Sequence, residues 1–377
     1  MDSIRRTELL ARRLHSHALT SPVSIPDGAP GVVDRLFALQ GQDLPGALWS
    51  LGLRSGSTLT EVTAAFDDGT LVRSWPFRGT LHVLRAEDVH WTLALTSERI
   101  LRSAVRRREE LELDPETLEK ARAAAVGALT GGGRLSRREL LELFEAAGIR
   151  TNGQRGYHLL WHLSVTGTTV LGPMQGSEQL FVLLDEWVSE PRRLDRDASL
   201  AELVRRYLAG RAPAGTADIA WWAKLPLADI RAGLAEAAAD LDEVDYAGTP
   251  HWRLSGGAEF PGDPSDRTDA AEPGFRTRSV ALLPGFDEYL LGYTDRSAAL
   301  AAEHAPLTVP GGNGIFKPTL VIRGRIAGLW SRKSTAKKTV LSLHPFAPIP
   351  RRDHAGIRRA AEEYGRFLAV PVELDPS

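Results

Sequence analysis

Cysteine is missing from this chain. Its absence excludes disulfides, thiolate metal ligands and a cysteine nucleophile. Lysine is scarce: arginine supplies 40 of the 46 basic residues, and the sequence shows no obvious lysine beside the candidate glutamines below to form a Schiff base. No apolar run approaches the ~18 residues that a membrane-spanning helix needs. The opening "MDSIRRTELLARRLHSHALT" is amphipathic and basic, without the continuous apolar stretch of a secretory signal. The expected location is therefore cytoplasmic. There is no P-loop, no Gly-rich dinucleotide fingerprint and no G-x-S-x-G elbow. "HLLWH" sets His158 and His162 at the i, i+4 spacing of a zinc pair, but it lacks the Glu of H-E-x-x-H and an evident third ligand. Packing beside Trp161 is the commoner use of such histidines, and no metal is expected.

What is present describes an ordinary globular protein able to bury a sizeable core, with 43% hydrophobic and 25% charged residues. Its length suggests roughly two or three domains. A net charge of −2 argues against a general nucleic-acid binder. The distribution of charge argues the other way. Lys317 to Arg359 holds eleven basic residues, among them Arg323, Arg325, Lys333, Lys337 and Lys338, against one acid, Asp353. Such a concentration can neutralise phosphates; the plainer alternative is a solvated basic face.

Three stretches share one order of elements, helices followed by two short strands, without sequence identity between them. The first has expected helices near Ile4–Thr20, Gly31–Gln40 and Leu59–Phe66, then the strands "LVRSWPF" and "TLHVL". The second has helices near Pro115–Leu129, Arg138–Ala147 and Gln154–Thr166, then "TTVLG" and "QLFVLL". The third has helices near Ala201–Ala209, Ala217–Leu225 and Leu227–Ala239, then "DEVDYAG" and "HWRL". Three helices and a β-hairpin make a winged helix, a plan that can lay its third helix in a DNA groove, although such bundles also serve as protein-binding modules. Residues 255–277 are rich in Gly, Pro and Asp and read as a loop. Beyond them the chain turns β-rich and ends in an amphipathic helix. The expected class is α+β, with winged-helix units at 1–112, 113–195 and 196–254, the loop at 255–277 and a β-rich unit at 278–377.

Several short motifs stand out. In "FALQGQDLPG", Val33, Leu36 and Phe37 mark one apolar helix face and Gln40 continues it; Gly41 and Pro45-Gly46 then read as a helix stop. Two amides at a helix end usually cap it. Gln40 and Gln42 converge only if Gly41 lies beyond regular helix, because residues two apart on a helix do not share a face. "RSWPFRGTLHVL" alternates around a turn at Arg78-Gly79, so Arg78, Thr80 and His82 can share one side of a strand, facing solvent or a site. "LLPGFDEYLLGYTDR" carries Asp287 and Glu288 among apolar residues. On a strand they would point to opposite sides and could not work as a paired acid and base, while one could cap the following turn.

"RGTLH" at Arg78–His82, "LLPGFDEYLLGYTDR" at Leu282–Arg296 and "GIFKPTLVIRGRIAGLW" at Gly314–Trp330 together resemble the winged-helix superfamily of AlkZ-type DNA glycosylases. "LQGQD" at Leu39–Asp43 resembles that family's catalytic motif, glutamine–hydrophobic–glutamine. The resemblance spans nearly the whole chain. It implies three winged-helix motifs and a β-rich element forming a curved basic DNA channel. It also implies hydrolysis of the N-glycosidic bond of alkylated purines in double-stranded DNA, including bases joined in interstrand crosslinks, without cofactor, membrane or obligatory protein partner. Gln40 and Gln42 become the implied catalytic residues, with Arg78, His82, Arg323, Arg325, Lys333, Lys337 and Lys338 binding DNA or supporting the site. The chain departs from the pattern at Gly41, where the family has a hydrophobic residue. Related branches carry Asp in place of the second glutamine, so Gln42 and Asp43 both stand as the second catalytic group.

Chemistry explains how amides could suffice. Base excision ordinarily needs an acid for the leaving group and a carboxylate for water and the oxocarbenium-like sugar. A guanine alkylated at N7 is already cationic and leaves as a neutral base. The enzyme then needs chiefly to hold water against the sugar, which an amide can do with its acceptor oxygen and two donor hydrogens. The other reading of the sequence is a non-enzymatic winged-helix regulator. A protein–protein scaffold would fit the net charge but not the basic run. Bulky crosslinks and simple methyl adducts, and general repair and self-resistance to an alkylating natural product, are all compatible with these residues.

Overall fold

The computed structural model describes residues 2–21, 25–256, 276–277, 280–312, 314–335 and 337–375. These residues form a mixed α+β protein. The chain packs as two units, one made of residues 1–62 and 200–377 and the other of residues 63–199. No helix among the described residues is long and apolar enough to cross a membrane.

The inserted unit is built on two hairpins. Strands Leu71–Phe77 and Thr80–Arg85 pair antiparallel, as do Thr169–Gln175 and Glu178–Leu183, and Arg73 opposite Leu171 joins them into one sheet. Arg78 and Gly79 both have positive φ, 54° and 67°, the type I′ geometry whose twist matches a two-residue hairpin. Helices Pro115–Leu129, Arg137–Ala146 and Arg155–Val165 follow the expected order and precede the second hairpin. Asp114 accepts the Thr117 amide at the start of one, and Ser136 with Glu139 forms a capping box at the next. Trp75, Phe144 and Trp161 anchor a shared apolar core. His158 packs edge-on to Trp161 at 5.8 Å, the packing expected for it. No third ligand joins His158 and His162 among the described residues.

The discontinuous unit holds the two ends of the chain. Helices Arg196–Arg211, Thr216–Ala223 and Leu227–Glu236 lead into the hairpin Leu241–Tyr246 and Thr249–Leu254, again in the expected order, and Asp2–Ser3 adds a parallel strand to it. The C-terminal part is a five-stranded sheet in the order Val280–Leu283, Thr319–Ile322, Arg325–Ser334, Thr339–Pro345, Val372–Leu374. Helix His354–Leu368 buries Ile357, Ala360, Ala361, Tyr364 and Phe367, an i, i+3, i+4, i+7, i+10 stripe. Tyr364 and Phe367 meet Trp49 at ring separations of 4.8 and 5.1 Å. Most of the 255–277 loop lies outside the described residues; Arg276–Thr277 at its end pairs antiparallel with Thr20–Ser21.

Two local expectations are corrected. The helix expected over Gly31–Gln40 spans Gly28–Leu36, and Ala38–Gln40 is a strand. Pro45-Gly46 does not stop a helix. It lies in the first turn of another, Leu44–Ser55, with Pro45 where its missing N–H costs nothing. The first stretch therefore carries one more helix than its pattern suggested.

Candidate active site

Gln40 is placed by a kink. The helix Gly28–Leu36 ends at Phe37, whose φ of 64° is rare for a bulky residue, and the chain emerges as the strand Ala38–Gln40. Such strain, of order 1–3 kcal/mol, persists only where surroundings over-determine it. Here the fully buried Arg211 does so. Its Nη1 donates to the Leu36 carbonyl at 2.7 Å and its Nη2 to the Ala38 carbonyl at 2.8 Å, clamping both sides of Phe37. Glu288, 1% exposed, completes the brace. Its Oε2 accepts from Arg211 Nη2 and Trp222 Nε1, each at 2.8 Å, and its Oε1 accepts the Gln40 backbone N–H at 2.9 Å. A buried ion pair of this kind is tolerable only with every lone pair engaged.

Gln40 is 8% exposed, and its Oε1 accepts the Gln42 backbone N–H at 3.1 Å. Gly41 lies outside helix and strand, as convergence of the motif requires. The side chain of Gln40 is thus folded over the loop that follows it, with its oxygen held by the Gln42 N–H. The Gln42 side chain is exposed and Asp43 half-buried. Asp43 opens onto a cleft of about 410 Å³ also lined by Lys317, Ser331, Arg332 and His344, a predominantly cationic setting for one carboxylate and one that brings near the site a lysine the sequence did not place there. The helix after Asp43 is locked in turn: Asp287 accepts from Arg54 Nη2 at 2.8 Å, Arg54 Nη1 at 2.9 Å and Ser50 Oγ at 2.9 Å.

Asp287 and Glu288 therefore begin a short helix, Glu288–Leu291, and do not alternate along a strand. Asp287 accepts the Tyr289 amide at 3.0 Å, the capping role the sequence allowed. Sequence reasoning missed Arg211, Arg54 and Trp222. The available signal was physical: two carboxylates inside "LLPGFDEYLLGY" must find cations if buried. Nothing local said which arginines those were. His17 also joins this interior, donating from Nε2 to the Tyr293 hydroxyl at 2.9 Å, while that hydroxyl donates to the Arg211 carbonyl. Burial, then the nearby Arg54 and Arg211 charges, hold the His17 pKa well below its ordinary value.

In the other unit, His82 is fully buried and Arg78 half-buried. Nδ1 of His82 donates to the Thr80 carbonyl at 2.9 Å, leaving Nε2 to accept from Arg78 Nη2 at 3.1 Å. The expected sharing of one strand side by Arg78, Thr80 and His82 does not hold, because Arg78 occupies the turn. His82 instead steadies Arg78.

The basic residues differ in their commitments. Arg323 donates to the buried Asp353 at 2.6 Å, and Lys338 pairs with Glu373 at 2.8 Å. Arg325, Lys333 and Lys337 are exposed. On the strand Arg325–Ser334 and its partner Thr339–Pro345, this region is an antiparallel hairpin carrying cations toward its tip.

Comparison with known proteins then supplies independent findings. The family description "DNA glycosylase AlkZ-like" matches residues 33–367. A curated protein from Streptomyces sahachiroi, "Interstrand DNA cross-link repair glycosylase", is 27% identical over 372 residues, covering 92% of this chain and 93% of its own. The solved structure of Streptomyces sahachiroi DNA glycosylase AlkZ is similar in fold, with a TM-score of 0.77, 24% identity and full coverage of both chains.

Proposed function

The chain belongs to the AlkZ-like family of DNA glycosylases, and we propose that it excises cationic N7-alkylguanines, including those tied into interstrand crosslinks, with Gln40 at the reacting centre. The observation that carries this reading is the construction around Gln40. A strained kink, a buried arginine clamp and a buried carboxylate hold the backbone that presents one amide side chain, whose oxygen is oriented by the Gln42 N–H. Preorganisation of that kind is what holding a water against a developing sugar cation requires.

In the proposed step, water oxygen bonds to C1′ as the C1′–N bond breaks. The electron pair passes into the cationic ring, which leaves as a neutral base. The attacking water loses its proton only once it is bonded to carbon, so no strong base is needed. The amide accepts from the water and fixes its line of approach. Asp43, bordering the adjacent cleft, is the residue suited to stabilise positive charge on the sugar; Gln42 contributes its backbone N–H to Gln40 and has its side chain exposed. The crosslink extension is supported by the name of the Streptomyces relative. The repeated helix–hairpin order supports winged-helix motifs that carry DNA, with Arg78 and Lys337 among the phosphate contacts.

The test is incubation with a duplex holding one N7-methylguanine, followed by alkali. A break at the lesion and none in unmodified DNA is expected. Intact strands with this and other cationic adducts would favour the regulator reading, which a glycosylase-family match over residues 33–367 does not.

A further inference from the structure

A cavity of about 630 Å³ lies against the N-terminal helix, and the glycosylase reading makes no use of it. Its apolar lining includes Leu10 and Leu14 of helix Arg6–Ser16, with Ile322, Ile326 and Ile349. Phe346 and His304 also line it, their rings 4.2 Å apart and inclined by 34°. Its charge is one-sided. Arg323, Arg325 and Arg352 line it against a single acid, Asp353. Asp353 is 2% exposed, accepts from Arg323 at 2.6 Å and lies 3.9 Å from Arg352 Nε, so one carboxylate is shared by two guanidiniums and the lining keeps an excess of positive charge centred on Arg325.

The backbone there is also unusual. Arg323 and Gly324 form a hairpin turn in which both have positive φ, 48° and 77°. Asn, Asp or Gly ordinarily fills the first of these positions, because a long side chain is strained there. Gly324 is favoured by its positive φ, and a Cβ there would also meet Leu14 Cδ1 and the Tyr289 hydroxyl tightly, at 3.2 Å. The turn is thereby seated on the N-terminal helix at the cavity wall, with an arginine on each side of the glycine.

We propose that this cavity binds a small planar aromatic molecule bearing an acidic group. The ring is matched by the apolar lining and the Phe346–His304 pair, and the acid by Arg325 and Arg352. The volume lies within the ~300–1,000 Å³ typical of small-molecule sites, and few convergent polar groups on an apolar wall are their usual makeup. An apolar ligand without the acid would leave the arginine excess unanswered. The proposal is independent of the glycosylase chemistry.

The test uses 8-anilino-1-naphthalenesulfonate, an aromatic sulfonate, titrated into the full chain near neutral pH with fluorescence as the readout. Saturable one-to-one binding is expected. Arg325→Glu, at an exposed position, should weaken it by about tenfold or more through loss of a charge-assisted contact. Ala11→Trp, from a half-buried position lining the cavity, should fill the space and abolish binding while the unfolding midpoint stays at the parent value. No saturable site, or equal affinity in parent and both variants, overturns the proposal. Displacement of the probe by a short single-stranded oligonucleotide overturns it too, by assigning the cavity to a nucleotide of the substrate strand.

Discussion

Replacing Glu288 by Gln tests the brace under the candidate site. Glu288 accepts on both oxygens at once, from the Gln40 N–H on one and from Arg211 and Trp222 on the other. A carboxamide has one acceptor oxygen and one donor amide. Whichever way it turns, a donor faces a donor. The change also strips a fully buried arginine of its counter-charge. Removing one partner of such a pair costs about 3–5 kcal/mol. For folded regions of this size that corresponds to about 2–4 °C per kcal/mol, hence a fall in Tm on the order of 10 °C. Glu373→Gln, which loses only the exposed pair with Lys338, should stay within about 0.5 kcal/mol of the parent. Thermal unfolding followed by circular dichroism reads both. Below the variant's transition, single-turnover excision should slow while DNA affinity holds, because Gln40 loses its backbone anchor. A Glu288→Gln midpoint within about 2 °C of the parent would refute the brace.

Other expectations follow from the same contacts. His82→Ala removes the acceptor for Arg78 and opens a cavity in a buried position, so urea unfolding should show a loss of about 2–4 kcal/mol; an unchanged midpoint contradicts a bracing role. Lys337→Ala should flatten the salt dependence of duplex binding by about one unit, and Lys338→Ala by less, because Glu373 already neutralises Lys338. Equal slopes for parent and Lys337→Ala, measured by anisotropy across a salt series, would remove Lys337 from the interface. Stability should also fall in acid. His17 is depressed by burial, so below about pH 6.5 the unfolded chain takes up a proton that the folded chain excludes, a slope of up to about 1.4 kcal/mol per pH unit. His15 and His162, each lowered to about 4 chiefly by burial, act in the same direction. Urea midpoints at pH 7.5 and 5 check this, and a pH-independent midpoint contradicts it.

Periodicity and caps such as Ser136–Glu139 made the helices of the second stretch legible to within a residue at each end, whereas in the third the first helix runs Arg196–Arg211, well beyond the expected Ala201–Ala209, and the last stops at Glu236 short of the expected Ala239. The turn at Arg78-Gly79 was readable from its flanking alternation, while its type I′ geometry, with positive φ at both residues, came only with the structure. Reading failed around the site itself. Helix Gly28–Leu36 stops at Phe37 for no local reason: the positive φ there is imposed by Arg211, 174 positions along the chain. Local propensity cannot announce such a kink. "LPG" misled for a related reason, since Pro ends one helix and begins another with the same geometry. Asp287 and Glu288 were visible as anomalies, but their partners Arg54 and Arg211 are set by tertiary packing alone. What the sequence offered most directly was the spacing of Gln40, Gly41 and Gln42, and the structure adds that the two glutamines meet through a backbone N–H.

The most direct test of the account is the single-turnover excision rate on one defined N7-methylguanine duplex, compared across Gln40→Ala, Gln42→Ala and Asp43→Asn. Gln40→Ala should be slower than the parent by about 100-fold or more, with unfolding midpoint and duplex affinity unchanged, as loss of a transition-state contact requires. Asp43→Asn should cost more than Gln42→Ala, whose backbone N–H to Gln40 survives the substitution. Rates near the parent for both Gln40→Ala and Gln42→Ala would contradict the glutamine mechanism.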